Sequence, residues 1–179
     1  VINTPGASSR LMDVLDVTAP YATPAANQAI AEADLVLAVG TEIGEPVHYG
    51  TGRHWAQGNT DRKWIYIERD STAFGVNRPI EVPLVGDLRD VVPQLQSVLD
   101  GRVLQPRFPE NYSQLLEGSH KELIEAVEAA SSETAVHPAH LAVEISRGMP
   151  DNPVMIRDGG AVCLWNMAFN TTASSDMHW

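Results

Sequence analysis

The sequence predicts an α/β protein with a doubly wound parallel sheet, followed by an incomplete second α/β unit. Three observations support this fold class. An unbroken apolar run at 35–39 follows a helix-forming segment, two further β-rich runs lie at 64–67 and 82–85, and an amphipathic segment at 88–99 follows the third run. The order helix, strand, loop, strand, loop, strand, helix is typical of such sheets. We therefore expect the first domain to be Rossmann-like.

The first helix is predicted at 23–33. Thr23 can cap its N-terminus, Pro24 suits the first helical position because no N–H is needed there, and alanine dominates the rest of the segment. The apolar run 35–39 comes next and ends at Gly40. A continuous apolar run of this length is typical of a parallel strand covered on both faces. We therefore expect both faces of this strand to be buried.

The second and third strands are predicted at 64–67 and 82–85. The third contains a proline, which indicates an edge strand or an irregular start. The helix after this strand is predicted at 88–99 because its apolar residues recur at helical spacing. Either Asp87 or Asp90 caps this helix, and a proline further along favours the later start.

Changes of composition set the predicted domain boundaries. Residues 1–104 form the central α/β domain, lacking its first strand; residues 105–136 are a linker and a connecting helix; residues 137–179 are the truncated start of another α/β domain. In this last part a His-Pro pair opens a helix and a strand follows at 154–156. The predicted apolar face of that helix consists of Leu141, Val143 or Ala142, and Ile145. We expect the chain to be a piece of a longer protein.

Composition excludes several classes of partner. The formal net charge is -11, and the 12 basic residues are scattered without a run that could follow a phosphate backbone, so nucleic acid is not an expected partner. The single cysteine cannot form an internal disulfide, which fits a cytoplasmic protein. No apolar run reaches the roughly 18 residues of a membrane span. His48 and His54 with one distant cysteine do not provide the three or four ligands that zinc requires, so no metal site is predicted.

Residues at the carboxyl ends of the predicted strands are candidates for binding a nucleotide. Glycine lets a backbone approach phosphate, and acidic side chains there can accept hydrogen bonds from ribose or adenine. The same residues have a structural explanation, because a tight turn needs glycine and an aspartate readily caps a helix. Both interpretations stay open for the four candidates, which are Gly40, Thr41, Glu68 and Asp87.

A second candidate site comes after the predicted strand 154–156. Asp158, Gly159 and Gly160 could bring backbone N–H groups close to a diphosphate while the aspartate orients a neighbour. Cys163 lies in an apolar run with no base nearby in sequence, so it is not predicted to be a nucleophile. No catalytic residue is predicted in this chain.

Four segments, taken in order and spacing, resemble the central domain of thiamine-diphosphate enzymes: 31–41, 64–70, 77–79 and 82–87. That family includes acetolactate synthase, benzoylformate decarboxylase and oxalyl-CoA decarboxylase. Residues 137–165 look like the opening of its diphosphate-binding domain. The resemblance implies a homo-oligomeric carbon–carbon lyase or ligase that acts on a 2-oxo acid or related acyl donor. It also implies thiamine diphosphate and Mg²⁺ as cofactors of the full enzyme.

The resemblance also implies that this chain is inactive alone. The activating glutamate of the family lies in its first domain, and its magnesium motif should lie beyond Trp179. The central domain binds FAD in acetolactate synthase and an adenosine nucleotide in oxalyl-CoA decarboxylase. Nucleotide-binding members often carry Gly-x-Arg where this sequence has Glu42 after Gly40-Thr41, and a carboxylate repels phosphate. We therefore expect neither FAD nor ADP to bind, unless Arg69 or Arg53 supplies the cation. A free-standing nucleotide-binding or regulatory module remains the alternative.

Overall fold

The computed structural model describes residues 1–4, 18–21, 23–44, 49–55, 61–103, 112–132, 135–150, 156, 160–161, 165–166 and 169. The chain divides into two compact units. The sheet unit comprises Gln28–Pro109, and the terminal unit comprises Val1–Asn27 together with Glu110–Trp179. The predicted boundaries at 104 and 137 divide the chain differently and stay predictions.

The sheet unit contains three parallel strands in the order β3 (Leu35–Val39), β4 (Lys63–Glu68) and β5 (Val82–Val85). Helix α1 (Pro24–Glu32) precedes β3, and helix α2 (Leu88–Leu99) follows β5. Each predicted strand and helix of this region is present within a residue or two of its expected bounds. The α/β fold class is confirmed.

A side chain caps the N-terminus of each of these two helices. The Thr23 hydroxyl accepts a hydrogen bond from the Ala26 N–H at 3.3 Å at the start of α1. Asp87 caps α2, so the earlier of the two predicted starts is correct. Pro93 therefore lies inside the helix, where it offers no N–H to the carbonyl four residues earlier. The preference for a later start was wrong because the cap outweighs this loss.

The expectation that both faces of β3 are buried was wrong. Ala38 is 4% exposed, whereas Leu35, Leu37 and Val39 on the opposite face are 51%, 46% and 41% exposed. Side chains alternate across a strand, so each face is covered independently. The Ala38 face continues across β4 through Trp64 and Tyr66, where other side chains cover it.

The terminal unit contains two short strands that the sequence reading missed. β1 (Ile2–Asn3) pairs in parallel with β2 (Ala19–Pro20). Strands of two residues carry too little pattern to be recognised from a sequence alone. Ala19 packs with the first residues of α1 in a small buried cluster.

Two longer helices complete the terminal unit. α3 (Tyr112–Ala130) coincides with the predicted connecting helix, and α4 (Pro138–Gly148) begins after its His137 cap as expected. They share a buried cluster made of Val127, Ala139, Ala142, Val143 and Phe169. The helix that was assigned to a linker therefore packs against the helix that was assigned to the next domain.

The predicted apolar face of α4 needs one correction. Leu141 is 45% exposed, whereas Ala139, Ala142 and Val143 are buried. Spacings of three and four residues bring these three onto one stripe, and Leu141 falls outside it. The predicted strand at 154–156 lies mostly outside the described residues, and Ile156 is 85% exposed and belongs to no strand. Across the described ranges, no helix is long and apolar enough to cross a membrane.

Candidate functional site

The glycine turn after β3 is shaped by packing. Gly40 has φ +55°, and its N–H donates to the Ile67 carbonyl at 2.9 Å, which ties the turn to the end of β4. A Cβ at Gly40 would lie 2.8 Å from the Leu88 Cδ1 atom of α2. Glycine is therefore required here by the backbone conformation and by the close approach of α2, without a ligand.

The carbonyl of Thr41 accepts a hydrogen bond from the Tyr66 hydroxyl. This bond holds the start of the loop onto the Ala38 face of the sheet. The next part of the loop is held by Asn77, whose amide donates to the Ile43 carbonyl at 2.8 Å. These two backbone carbonyls thus anchor the loop after β3 to the rest of the sheet unit.

The two acidic residues predicted at the strand ends do lie at neighbouring positions. Gly86 donates its N–H to the Glu68 carbonyl at 3.1 Å, so the ends of β4 and β5 meet at one edge of the sheet. The Glu68 carboxylate accepts from the backbone N–H of Arg69 at 2.7 Å and of Asp70 at 3.4 Å. Its hydrogen-bonding capacity is partly used by its own turn.

The Asp87 carboxylate accepts more hydrogen bonds than the Glu68 carboxylate. Its carboxylate accepts from the Arg89 N–H at 2.9 Å, from Nε at 3.0 Å and from Nη2 at 2.9 Å. These hydrogen bonds to Arg89 hold the pKa of Asp87 well below its usual range. The structural interpretation of Asp87 as a helix cap accounts for all of these contacts.

The electrostatic character of this edge is acidic. The pKa of Tyr66 is raised to about 12, first by burial and then by the negative charges of Glu68 and Glu42, against an opposing effect of Arg78. Two carboxylates therefore act on the same phenol. A phosphate placed here would meet the same negative charge.

The two arginines proposed as substitute cations are Arg69 and Arg53. Arg69 is exposed, and its charge also helps to lower the pKa of Asp70, after the Thr72 hydrogen bonds, and of Asp87, after those of Arg89. Arg53 is exposed as well. The sequence reading missed the arginines that the structure does bury, Arg62 and Arg78, which are 6% and 4% exposed. The only feature of the sequence that could have indicated their burial is the position of each arginine shortly before a predicted strand.

Of the three residues predicted for the thiamine diphosphate side, the structure describes Gly160. It is exposed with φ +109°, and a Cβ there would meet nothing within 4 Å, so it forms no cradle by itself. Asp158 and Gly159 lie outside the described residues. Within the described part of the chain, no three His, Cys, Asp or Glu residues are grouped so that they could hold a metal ion.

A parallel sheet whose strand ends carry glycine and acidic turns defines the sheet unit as a Rossmann-like α/β domain. Residues 9–95, just under half of the chain, match the family described as thiamine pyrophosphate enzyme, central domain. This part of the chain is therefore similar to the central domain of thiamine pyrophosphate enzymes.

Three curated relatives show the same similarity. An acetolactate synthase of Arthrospira platensis is 36% identical over 81 residues, which are 45% of this chain and 13% of that protein. A probable acetolactate synthase large subunit of Methanococcus aeolicus is 28% identical over 107 residues, 58% of this chain and 17% of the relative. A probable acetolactate synthase large subunit of Methanocaldococcus jannaschii is 32% identical over 85 residues, which are 48% of this chain and 14% of that relative. The chain thus matches about one-seventh of the length of these relatives.

Proposed function

We propose that this chain contributes the central domain of a thiamine-diphosphate-dependent carbon–carbon lyase or ligase of the acetolactate synthase type, acting on 2-oxo acids or related acyl donors. The observation that carries the proposal is the match of residues 9–95 to the central domain of the family, together with relatives named acetolactate synthase. The parallel order of β3, β4 and β5 supports it. The cytoplasmic location remains part of the proposal.

In this proposal the sheet unit is a scaffold, and the catalytic groups lie on other parts of the protein. When bound, thiamine diphosphate would stabilise a carbanion formed on the substrate. Asp158, Gly159 and Gly160 are proposed for the diphosphate side, and Mg²⁺ would accompany it. Gly160 alone provides no cradle, so no step of the reaction is assigned to residues of this chain.

Activity measurements on two proteins test the proposal. The purified 179-residue chain, given thiamine diphosphate, Mg²⁺ and pyruvate, should show no turnover. The full-length protein that contains it should consume a 2-oxo acid only when the cofactor is supplied. Turnover by the chain alone would refute the assignment of catalysis to other parts, and a full-length protein without cofactor-dependent turnover would refute the enzyme class.

We further propose that the crevice at Gly40, Thr41, Glu68 and Asp87 binds neither FAD nor ADP. Asp87 is held by Arg89, and Glu42 replaces the cation that would meet phosphate. Calorimetric titration should show no micromolar binding of either nucleotide. Glu42→Arg should strengthen ADP binding about ten-fold or more, because it replaces repulsion by attraction. Micromolar binding of either nucleotide by the unaltered chain would overturn the argument from Glu42 and would make Arg69 or Arg53 the first residue to substitute.

The proposal includes assembly into a homo-oligomer. Apolar side chains that isolated domains usually bury are exposed on the sheet unit, and covering them by a second copy would remove this cost. These residues are Leu35, Leu37, Val39, Val85 and Val98. Light scattering of the full-length protein at micromolar concentration should report at least a dimer, and a monomeric mass would contradict this part of the proposal.

A further inference from the structure

Two arginine side chains are buried on the Ala38 face of the sheet unit. Arg62 precedes β4 and is 6% exposed, and Arg78 precedes β5 and is 4% exposed. Arg78 stacks on the Trp64 ring with Cζ 4.2 Å from the ring centroid, and Arg62 lies two residues before Trp64 in the chain. A buried guanidinium usually has a carboxylate partner, because desolvating a cation alone costs several kcal/mol.

Contacts of Arg62 leave one end of its guanidinium without a partner. Nε donates to the Ala33 carbonyl at 3.3 Å and Nη1 donates to the His54 carbonyl at 3.0 Å. Nη2 is fully buried, and no described atom accepts a hydrogen bond from it. Both acceptors are neutral carbonyls, so the positive charge of Arg62 is not neutralised by them.

Arg78 also donates to a neutral acceptor. Its Nε donates to the Asn77 side-chain oxygen at 3.1 Å, which is again a neutral acceptor. The pKa of Arg78 is lowered first by burial and then by the positive charge of Arg62, so the two cations repel each other. No ion pair joins either arginine to a carboxylate among the described residues. Glu81 lies three positions further on, and one of its carboxylate oxygens accepts a hydrogen bond from the Trp64 N–H at 2.5 Å.

The backbone at Gly50 lies close to the Arg78 guanidinium. Gly50 has φ +65°, and a Cβ there would lie 1.6 Å from Arg78 Nη2. A side chain at position 50 would therefore occupy the space of the guanidinium. In the chain, Arg62 and Arg78 precede β4 and β5, whereas Glu68 and Asp87 lie at or just beyond the ends of those strands.

We propose that Arg62 and Arg78 form a binding site for a small oxyanion, a phosphate or carboxylate group, that neutralises this pair of buried cations. A planar guanidinium donates two parallel hydrogen bonds to such an anion, and two guanidinium groups match a doubly charged phosphate. The stack on Trp64 holds one of them in place before the anion arrives.

Calorimetric titration of the 179-residue chain with inorganic phosphate and with acetate tests the site. The anions are added at low-millimolar concentration and constant ionic strength. Under these conditions the general stabilisation of the folded chain by salt is negligible. We expect saturable binding of phosphate and weaker binding of acetate; the reverse order would assign the site to a carboxylate ligand. Absence of saturable binding of both anions would overturn the proposal.

Variants locate the binding. Arg62→Gln and Arg78→Gln should each weaken phosphate binding about 30-fold or more, because one charged donor group is lost from a buried contact. Arg62→Lys keeps the positive charge but loses the planar pair of N–H donors. We expect this variant to fold and to bind phosphate weakly. Arg102→Gln, at an exposed position, is the matched control and should bind normally. Unchanged binding in Arg62→Lys and Arg62→Gln would also overturn the proposal.

One rival occupant is internal. Glu45 lies outside the described residues, and its carboxylate would compete with an added anion if it were the partner. In that case Glu45→Gln would create phosphate binding that the unaltered chain lacks. Our proposal predicts that Glu45→Gln leaves phosphate binding within about two-fold of the unaltered chain.

Discussion

The carboxylate of Asp87 accepts a hydrogen bond from the backbone N–H of Arg89 at 2.9 Å and forms an ion pair with the guanidinium of the same residue at 2.9 Å. One side chain thus closes the first turn of α2 and holds the cation two residues further on. These contacts use both carboxylate oxygens of Asp87, which lies just beyond the end of β5.

Removal of this cap should destabilise the sheet unit. We expect Asp87→Ala to lower the melting temperature by about 2 to 4 °C, and Asp87→Asn, which keeps an acceptor, to lower it less. Asp100→Ala, at the other end of α2, is the control and should cost little, since a carboxylate at a helix C-terminus is unfavourable. Equal losses at positions 87 and 100 would contradict the capping role.

The same contact predicts a pH dependence. The pKa of folded Asp87 is depressed, mainly by hydrogen bonds to Arg89, relative to an ordinary value of 3.8. Its contribution to stability is therefore present above about pH 4 and is lost as the pH falls further. Thermal melts between neutral pH and about pH 3 should show a smaller acid loss for Asp87→Asn than for the unaltered chain. Identical acid profiles would count against this prediction.

The Tyr66 phenol should titrate late. Burial, Glu68 and Glu42 raise its pKa from 10.0 to about 12, so the folded state favours the neutral phenol. Stability from this group is present below pH 10 and is lost as the pH rises towards 12. Ultraviolet absorbance should show one tyrosine that ionises near pH 12, and Tyr66→Phe should remove that transition.

Charge variants separate the causes of this shift. Glu42→Gln and Glu68→Gln should each lower the Tyr66 titration midpoint, because each removes a negative charge that opposes ionisation. Glu32→Gln, on the exposed side of α1, serves as the matched control. A midpoint that is insensitive to the variants at positions 42 and 68 would mean that burial alone determines the pKa.

Two glycines test the packing around Arg78. Gly50→Ala and Gly101→Ala both place a side chain at positive φ, +65° and +71°, which costs roughly 1–2 kcal/mol. A Cβ at Gly101 meets nothing within 4 Å, whereas one at Gly50 would displace the Arg78 guanidinium. Urea denaturation should therefore show Gly50→Ala to be less stable than Gly101→Ala by about 1–3 kcal/mol. Equal losses would show that Arg78 can move without cost.

The face of α4 can be tested in the same way. Val143 is 3% exposed in the cluster with Val127 and Phe169, so Val143→Ala should lower the free energy of unfolding by about 1–3 kcal/mol. Leu141 is 45% exposed, and Leu141→Ala should change it by no more than about 0.5 kcal/mol. Urea denaturation of both variants gives the comparison. A larger loss at position 141 would restore the face predicted from the sequence.

Local signals in the sequence were sufficient for β3, β4, β5 and the two helices that flank them in the chain. The apolar run of β3, the spacing in α2 and the cap at Thr23 are properties of neighbouring residues, and the structure has each of them. The order and spacing of these segments also carried the resemblance that the central-domain match later confirmed. Gly40 and Asp87 were correctly placed at strand ends by the same reasoning.

The roles of those residues were decided by the tertiary structure. The hydrogen bond of Asp87 to the Arg89 guanidinium and the close approach of Leu88 to Gly40 arise only in the folded chain. Arg62 and Arg78 are 16 positions apart, and the charge of Arg62 lowers the pKa of Arg78 only because folding brings them close. Burial and electrostatic interaction depend on distances in space, which spacing along a chain does not specify until the sheet has formed.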